Sequence, residues 1–245
     1  MKSIHEEIES ADINPEYAYI KKNPPLSERF TKKTFEIYCK ILFKIYCPLT
    51  VTGRENIPNS SFIFCSNHNS HMDSGILMVA TGKSFKNFAM MAAKDYFFDN
   101  SNRKSFLNTL MNLIPISRKA SMKEMINYLV ACKEFLKEGD KVLIFYPEGT
   151  RSLTGKMGSF KKGPAMTSVE LKIPIVPAHI SGTFNAWPKG RVFMKPTKIN
   201  VIIGEPIYPD NYLNGSCDQS KSFEAYNKIT SELENKVHQL MESRK

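Results

Sequence analysis

The segment FCSNHNSHMDSG, residues 64–75, places two histidines, a carboxylate and three hydroxyl side chains within twelve positions. A neutral histidine can take a proton from an attacking alcohol, and a carboxylate beside it orients the imidazole and stabilises the imidazolium that forms. His68 and Asp73 are five residues apart, so on a regular helix they would point about 140° away from each other. The pair therefore predicts a turn that brings Asp73, at the start of a helix, back towards His68. Taken alone, the spacing is explained more readily by a capping aspartate beside a surface histidine.

A metal site is the second chemistry that His68, His71 and Asp73 could serve. Zinc sites use three or four protein ligands of the His, Cys and carboxylate types, and no further cluster of such residues accompanies these three. The cysteines are scattered along the chain without CxxC spacing, at Cys39, Cys47, Cys65, Cys132 and Cys217. We therefore predict no metal site and no disulfide framework, and free thiols favour a reducing, cytoplasmic setting.

A second group of polar residues, FYPEGTRS at residues 145–152, follows the apolar run VLIFY. Ligands gather at strand ends in α/β sheets. Gly149 permits a sharp turn, Thr150 adds a hydroxyl donor, and Arg151 can bind a phosphate through two nitrogens. Glu148 would repel an anion unless it orients the arginine or binds a sugar or glycerol hydroxyl. An ordinary turn with a surface salt bridge explains EGTR equally well when it is taken alone.

Two further segments complete the set of candidate site residues. LIPISRK places Arg118 after a strand-like run, and IPIVPAHI is an apolar run that contains Pro174 and Pro177. Each segment alone is commonplace, but the order of the four along the chain is specific.

The segments NHNSHMD, IPISR, YPEGTRS and IPIVPAH resemble the four successive blocks of the glycerolipid acyltransferase family, whose best-known members act on lysophosphatidic acid. The resemblance covers roughly residues 50–210. It implies that His68 is the general base and that Asp73 orients it. It also implies that Pro177 lies on the acyl-chain side of the substrate site. The residues that it assigns to the glycerol phosphate are Lys94, Arg118, Glu148, Gly149, Thr150 and Arg151. Two positions depart from the family pattern, Met72 before the aspartate and Ser117 before the arginine, and both bear on the identity of the acceptor lipid.

The elements that must position these residues follow an alternating pattern. Short apolar runs at residues 62–65, 88–93, 113–116, 142–146, 173–180 and 199–203 alternate with segments of helical periodicity. This pattern predicts an α/β domain with a central, mostly parallel sheet flanked by helices. The clearest helix spans residues 121–138, where Ser121 and Glu124 form a capping box. A final helix is expected from about Ser222.

The amino-terminal part of the chain divides into two predicted segments before an acyltransferase domain at residues 49–245. Residues 1–26 are polar and end near Asn23-Pro24-Pro25, which predicts a loose arm. Residues 27–48 predict an amphipathic helix whose charged arc holds Arg29, Lys32, Lys33, Glu36, Lys40 and Lys44. Its other side is aromatic-rich: Phe30, Phe35, Ile37, Tyr38, Ile41, Leu42, Ile45 and Tyr46. Such a helix either covers the core or lies on a membrane surface, and its basic, aromatic character favours the membrane.

The net charge and the hydropathy of the chain indicate which kinds of partner and which cellular location to expect. A net charge of +10 favours an anionic partner, and the absence of nucleic-acid-binding motifs argues against DNA and RNA. No window approaches the roughly 18 apolar residues that span a bilayer, and the polar start MKSIHEEIES lacks the features of an export signal. We therefore expect a cytoplasmic protein that lies peripherally on the inner face of the cell membrane.

These expectations combine into one predicted activity with three alternatives. The resemblance implies transfer of a fatty acyl group, without a cofactor, from acyl-CoA or an acyl carrier protein to a lysophospholipid hydroxyl. Lysophosphatidic acid is the expected acceptor and phosphatidic acid the product. The alternatives are another lysolipid or hydroxyl acceptor, a thioesterase-like hydrolase, and a non-catalytic lipid-binding or membrane-tethering protein. A GxSxG motif is absent from the sequence, which argues against a serine hydrolase.

Overall fold

A central β-sheet organises the protein, whose computed structural model describes residues 4–21, 24–94, 109–117, 120–213 and 219–243. Its strands are β1 (Leu49–Thr52), β2 (Phe62–Ser66), β3 (Phe88–Ala93), β4 (Asn112–Ile116), β5 (Val142–Phe145), β6 (Ile175–Ser181) and β7 (Ile199–Ile203). The longer helices in the described residues are α1 (Ile4–Ser10), α2 (Leu26–Ile45), α3 (Asp73–Thr81), α4 (Met122–Leu136) and α5 (Gly163–Leu171), and two short ones follow, α6 (Thr183–Ala186) and α7 (Asp210–Leu213). The last helix is α8 (Gln219–Glu242).

The strand order across the seven-stranded sheet is β1-β7-β6-β2-β5-β3-β4. Every neighbouring pair is parallel except β6 and β7, which are antiparallel. The carboxyl ends of β2, β3, β4, β5 and β6 therefore lie along one edge, where the candidate residues that follow β2 and β5 meet. The predicted α/β class with a mostly parallel sheet is confirmed. The short edge strand β1 was not among the predicted strands.

Alternate residues of the central strands serve two hydrophobic cores, one on each face of the sheet. Phe62 and Phe64 of β2 pack with residues of α2 and α3. Ile63 and Cys65 pack on the other face with residues of α1, α4, α5 and α8. All four side chains are fully buried. This two-sided burial explains why β2 is a continuous apolar run, as central strands of covered parallel sheets are.

Helix α4 begins with the capping box that the sequence predicts. The Ser121 hydroxyl accepts a hydrogen bond from the Glu124 N–H at 3.3 Å, and the Glu124 carboxylate accepts from the Ser121 N–H at 2.9 Å. Two N–H groups that a helix start leaves unpaired are thereby satisfied. The final helix, expected from about Ser222, begins a few residues earlier at Gln219.

The amino-terminal segment is not the loose arm that its polar composition predicts. Helix α1 and a 3-10 helix, Pro15–Lys21, lie against the domain. Ile8 and Tyr17 are buried, and the Tyr17 hydroxyl donates to the Pro115 carbonyl of β4 at 3.2 Å. The prediction was wrong because a few apolar side chains, spaced among many polar ones, are sufficient to dock the segment beside the edge strand.

Helix α2 packs against the domain through a face that overlaps only part of its predicted apolar side, from which Phe35 and Leu42 contact the core. Cys39 and Phe43 are buried against α3 and the core, and the charged residues Lys32 and Glu36 are buried beside them. Six apolar side chains of this helix are exposed instead: Leu26, Phe30, Ile37, Tyr38, Ile41 and Ile45. Two members of the charged arc, Lys32 and Glu36, are therefore buried.

Burial of Glu36 is possible because its carboxylate is fully paired. Lys40 and Lys33 approach one of its oxygens at 2.6 Å and 3.0 Å, and the other accepts from the Phe85 N–H at 3.3 Å. Burial acts to raise the pKa of Glu36, but these hydrogen bonds outweigh it and lower the pKa to about 2. The paired carboxylate thus connects α2 to the segment that follows α3.

Candidate active site

The predicted turn between His68 and Asp73 is present at the carboxyl end of β2. Asp73 is the first residue of α3 and is fully buried. One of its carboxylate oxygens, Oδ2, lies 2.9 Å from His68 Nδ1 and also accepts the N–H groups of Asn69 and Ser70, each at 2.7 Å. An oxygen that accepts two N–H groups acts as a carboxylate, so Nδ1 of His68 carries the proton and Nε2 is the basic nitrogen.

The imidazole of His68 is stacked on the ring of Tyr146, with centroids 3.7 Å apart and planes inclined by 10°. The Tyr146 hydroxyl forms a 2.9 Å hydrogen bond with the hydroxyl of Ser74 in α3. Burial raises the pKa of Tyr146 well above its ordinary value, so the phenol stays neutral. His68 is consequently fixed by Asp73 at its edge and by Tyr146 on its face, while its side chain keeps 18% of its surface exposed.

Glu148 and Ser152 hold the main chain of His68 from both sides. The carboxylate of Glu148 accepts the His68 N–H at 2.7 Å through one oxygen and the Gly158 N–H at 2.8 Å through the other. The Ser152 N–H donates to the His68 carbonyl at 2.8 Å. Burial raises the pKa of Glu148. The segment that follows β5 therefore positions the histidine that follows β2.

The turn at Gly149 is the candidate phosphate-binding position. Gly149 has φ of +71°, a conformation that favours glycine, and its N–H donates to the Tyr146 carbonyl at 2.9 Å. Thr150 is exposed and Arg151 is buried. A Cβ atom added to Gly149 would lie 2.7 Å from the ammonium nitrogen of Lys161, so this lysine crosses directly over the turn. The glycine thus makes room for a cation beside the predicted anion site.

The structure brings together some of the predicted site residues and separates others. Lys94 lies at the end of β3, on the same edge, but its ammonium pairs with the Glu16 carboxylate at 2.9 Å. Pro177 is level with Cys65 inside the sheet and is buried, several residues before the edge at which Ile180 bonds to Asn67. Arg118 lies outside the described residues. The roles of all three stay predictions.

Sequence reasoning missed two residues of this region, one stacked on His68 and one over the Gly149 turn. Tyr146 is part of the YPEGTRS motif but has no titrating role that would single it out, and its contact with His68 spans 78 residues of chain. Lys161 belongs to the run FKKG, whose paired lysines are the signal that could have drawn attention to it. The neighbouring Lys162 points elsewhere, since its ammonium lies 4.3 Å from the ring centroid of Phe223.

Three features of the described residues bear on the metal-site and membrane alternatives. They contain no group of three or more His, Cys, Asp or Glu side chains placed to hold a metal ion. The second histidine, His71, lies near the Trp187 ring with centroids 5.9 Å apart. Among the described helices, none combines the length and apolar character needed to cross a bilayer.

A histidine–carboxylate pair at the carboxyl edge of a mostly parallel sheet, with a glycine–arginine turn beside it, defines the class of site. The model of the Acyltransferase family matches residues 48–181, more than half of the chain, and the chain belongs to this family. The resemblance found in the sequence is thereby confirmed.

Individual relatives extend the comparison beyond the family model. The chain is 30% identical over 187 residues to a chloroplastic 1-acyl-sn-glycerol-3-phosphate acyltransferase of Arabidopsis thaliana, covering 75% of this chain and 50% of that protein. It is 28% identical over 206 residues to a probable enzyme of the same name from Mycoplasma pneumoniae, covering 80% and 75%. It therefore spans about half the length of the plant relative.

A solved structure shows the same fold. The crystal structure of the 1-acyl-sn-glycerophosphate (LPA) acyltransferase PlsC from Thermotoga maritima matches with a TM-score of 0.59 and 28% identity, covering 85% of this chain and 80% of that one. The match extends well beyond the residues of the family model.

Proposed function

We propose that the protein transfers a fatty acyl group from an acyl-CoA or acyl carrier protein thioester to the free hydroxyl of lysophosphatidic acid, giving phosphatidic acid. The observation that carries the proposal is the 2.9 Å contact between His68 Nδ1 and Asp73 Oδ2, next to the turn at Gly149. The names of the relatives in Arabidopsis and Mycoplasma and of the Thermotoga enzyme support the choice of acceptor.

The proposed reaction is a direct transfer without a covalent enzyme intermediate. Nε2 of His68 takes the proton from the acceptor hydroxyl as its oxygen attacks the thioester carbonyl carbon. The new C–O bond forms, the C–S bond breaks, and the leaving thiolate receives the proton from the imidazolium. Asp73 stabilises the positive imidazole between these two steps, as a buried carboxylate does for a histidine base.

The phosphate of the acceptor would bind at the turn after β5. Arg151 supplies a planar guanidinium, Lys161 lies over Gly149, and Thr150 adds a hydroxyl. We assign Arg118 and Lys94 to the same anion, the second after exchanging its present partner Glu16. Glu148 would use its remaining lone pairs for a glycerol hydroxyl, and Pro177 would lie on the acyl-chain side.

The acceptor lipid resides in a membrane, and we propose that α2 docks the protein there. Its exposed face carries Phe30, Ile37, Ile41 and Ile45, while Lys44 extends from the same side. Exposed apolar side chains gain free energy at the headgroup boundary, and cations near an anionic surface add about 1 kcal/mol each. Helix α2 also ends at the sheet edge that holds His68, so docking would bring the site to the lipid.

The cytoplasmic face of the cell membrane is the proposed location. Cys39, Cys47, Cys65 and Cys132 are free, buried thiols in the described residues, and such thiols persist in a reducing compartment. The anionic lipids that a basic protein would bind are found on that face.

Incubation of the purified protein with labelled acyl-CoA or acyl carrier protein tests the proposal, using a panel of lysophospholipids as acceptors. We expect label in phosphatidic acid with lysophosphatidic acid as acceptor, and the two donors distinguish the carriers. Release of free fatty acid without lipid product would indicate a hydrolase, and lipid binding without turnover would indicate a tethering protein.

A second experiment tests whether the phosphate of lysophosphatidic acid binds at the turn after β5. Arg151→Ala should raise the KM for lysophosphatidic acid and reduce the preference over monoacylglycerol, because a charge-assisted contact to the phosphate is lost. Lys162→Ala is the control, since Lys162 lies over Phe223. An unchanged preference in Arg151→Ala would show that the phosphate binds elsewhere.

A further inference from the structure

The connection between α6 and β7, residues 187–198, projects two large apolar side chains into solvent. We refer to these residues, WPKGRVFMKPTK, as the cationic loop. Val192 and Phe193 at its tip are 76% and 81% exposed. Large apolar side chains gain free energy when they leave water, so this tip would be stabilised by contact with a second apolar surface.

Hydrogen bonds across the base of the cationic loop hold the tip in place. The Lys195 N–H donates to the Ala186 carbonyl at 2.9 Å, and the Arg191 N–H donates to the Pro188 carbonyl at 3.2 Å. The indole N–H of Trp187 donates to the Arg191 carbonyl at 2.8 Å. Val192 and Phe193 are therefore exposed in a loop conformation that these hydrogen bonds stabilise.

The charge of the cationic loop is entirely of one sign. Lys189, Arg191, Lys195 and Lys198 are exposed, and no acidic residue occurs between Glu170 and Glu205. An apolar tip flanked by cations is complementary to an anionic lipid surface, in which phosphates lie just outside an apolar layer.

The cationic loop is continuous with α2 on one side. The Tyr46 hydroxyl donates to the Met194 carbonyl at 3.1 Å, and the Cys47 thiol lies 3.7 Å from the Lys195 carbonyl. Trp187 and Met194 pack against the same core as α2. The exposed apolar face of the helix and the apolar tip of the loop thus lie on the same side of the sheet.

On its other side the cationic loop contacts the segment that carries His68. The Ser70 hydroxyl donates to the Trp187 carbonyl at 2.6 Å, and Ser70 forms an isolated antiparallel bridge with Pro188. Ser70 also donates its N–H to Asp73. One residue therefore connects the loop to the histidine–aspartate pair.

From these contacts we infer that the cationic loop is a second membrane-binding element, which inserts Val192 and Phe193 into the headgroup boundary of an anionic bilayer. Its lysines and arginine bind lipid phosphates, and Ser70 transmits the position of the loop to the catalytic turn. The inference rests on the proposed docking by α2 and adds a second contact, so that the site faces the membrane between helix and loop.

The experiment uses the full-length chain and vesicles of phosphatidylglycerol and phosphatidylcholine, with sedimentation as the measure of binding. The double variant Val192→Asp, Phe193→Asp should bind at least about tenfold more weakly, since burial of two such side chains contributes more than the 1.4 kcal/mol that a tenfold change requires. Phe223→Asp is the matched control, because Phe223 is 56% exposed on α8, on the opposite face of the sheet.

Trp187 provides a second measurement because it is the sole tryptophan of the chain. Lipids brominated near the headgroup should quench its emission in the wild type and in Phe223→Asp but not in the double variant. Vesicle binding by the double variant at wild-type strength, or an equal loss in Phe223→Asp, would overturn the inference. Neither measurement requires turnover, so transfer to detergent-dispersed lysophosphatidic acid reports separately on the proposed function.

Discussion

At the scale of single residues, the candidate site depends on how completely His68 is immobilised. Asp73 holds its Nδ1, Tyr146 covers one face of the ring, and Glu148 and Ser152 fix its peptide group. A base that is already oriented loses little freedom when the acceptor binds, which lowers the barrier to proton transfer.

His68→Ala should reduce kcat by about 10²- to 10⁴-fold, the usual contribution of a general base, and Asp73→Asn should lose much of the same rate. The measurement is turnover at saturating acyl donor and lysophosphatidic acid. His238→Ala on α8 is the matched control. Near-normal turnover in both site variants would rule out the histidine–aspartate pair as the base.

Tyr146→Leu should lower kcat about three- to tenfold, because a stacked ring contributes about 0.5–1.5 kcal/mol beyond its burial. Tyr146→Phe should keep most of the rate, since it retains the ring and loses only the bond to Ser74. Comparison of kcat for the two variants separates the contribution of the stacked ring from that of the apolar volume of the side chain. If Phe and Leu behave alike in kcat, while both fold normally, the ring does not position His68.

At the scale of elements, α2 combines a buried charged side with an exposed apolar one. Lys32 donates to the Asn112 side chain at 2.7 Å, and Glu36 binds Lys33, Lys40 and the Phe85 N–H. These polar contacts, together with the core contacts of Cys39 and Phe43, attach the helix to the domain and leave part of its apolar side exposed. The helix therefore yields one prediction about stability and one about membrane binding.

Glu36 should make the free energy of unfolding depend on pH in the acidic range. Its pKa is lowered from 4.5 to about 2 in the folded protein, so its stabilisation is present above about pH 4.5 and is lost as the pH falls towards 2. Glu36→Gln should reduce the free energy of unfolding at pH 7 by about 1–3 kcal/mol, with a smaller difference at pH 3. Urea unfolding at both values measures this. An equal loss at the two values would mean that the carboxylate charge is not what stabilises α2.

Replacement of Phe30, Ile37 and Ile41 by Ser should release the protein from anionic vesicles and depress activity on vesicle-borne acceptor. Activity on detergent-dispersed acceptor should be kept, because these side chains are exposed and their loss leaves the core intact. Phe43→Ala is the contrasting variant, since Phe43 is buried and should mainly lower the melting temperature. Equal losses in both assay formats for the triple variant would show that this face belongs to the fold.

At the scale of the whole molecule, the amino-terminal segment completes the domain beside β4. The hydroxyls of Tyr17 and Tyr19 donate to carbonyls of that edge strand, at 3.2 Å and 2.5 Å. Ile8 joins the core that α4, α5 and α8 share, and Glu16 binds Lys94 at the site edge. A segment that looks polar in sequence thus contributes to both packing and site geometry.

Ile8→Ala should lower the free energy of unfolding by about 2–5 kcal/mol, the cost of truncating a buried aliphatic side chain. Asp12→Ala, at an exposed position of the same segment, should change it by less than about 0.5 kcal/mol. Chemical denaturation of the three proteins gives both values. A neutral Ile8→Ala would indicate that the segment is loose in solution.

The sequence by itself determined the class of fold, most of the strands, the capping box of α4 and the order of the four motifs. Each of these follows from local information: hydrophobic periodicity reports which backbone conformation buries a segment, and side-chain chemistry reports what a motif can do. The turn between His68 and Asp73 could be predicted for the same reason, since the two residues are close in the chain.

Only the tertiary structure decided which groups hold the histidine and which face of α2 is exposed. Glu148 and Tyr146 reach His68 across about 80 residues of chain, and their roles depend on β2 and β5 being neighbours in the sheet. Burial of Glu36 depends likewise on Phe85, and docking of Ile8 depends on the core beneath it. Local patterns do not encode such contacts, because the free energy that selects them arises between segments distant in sequence.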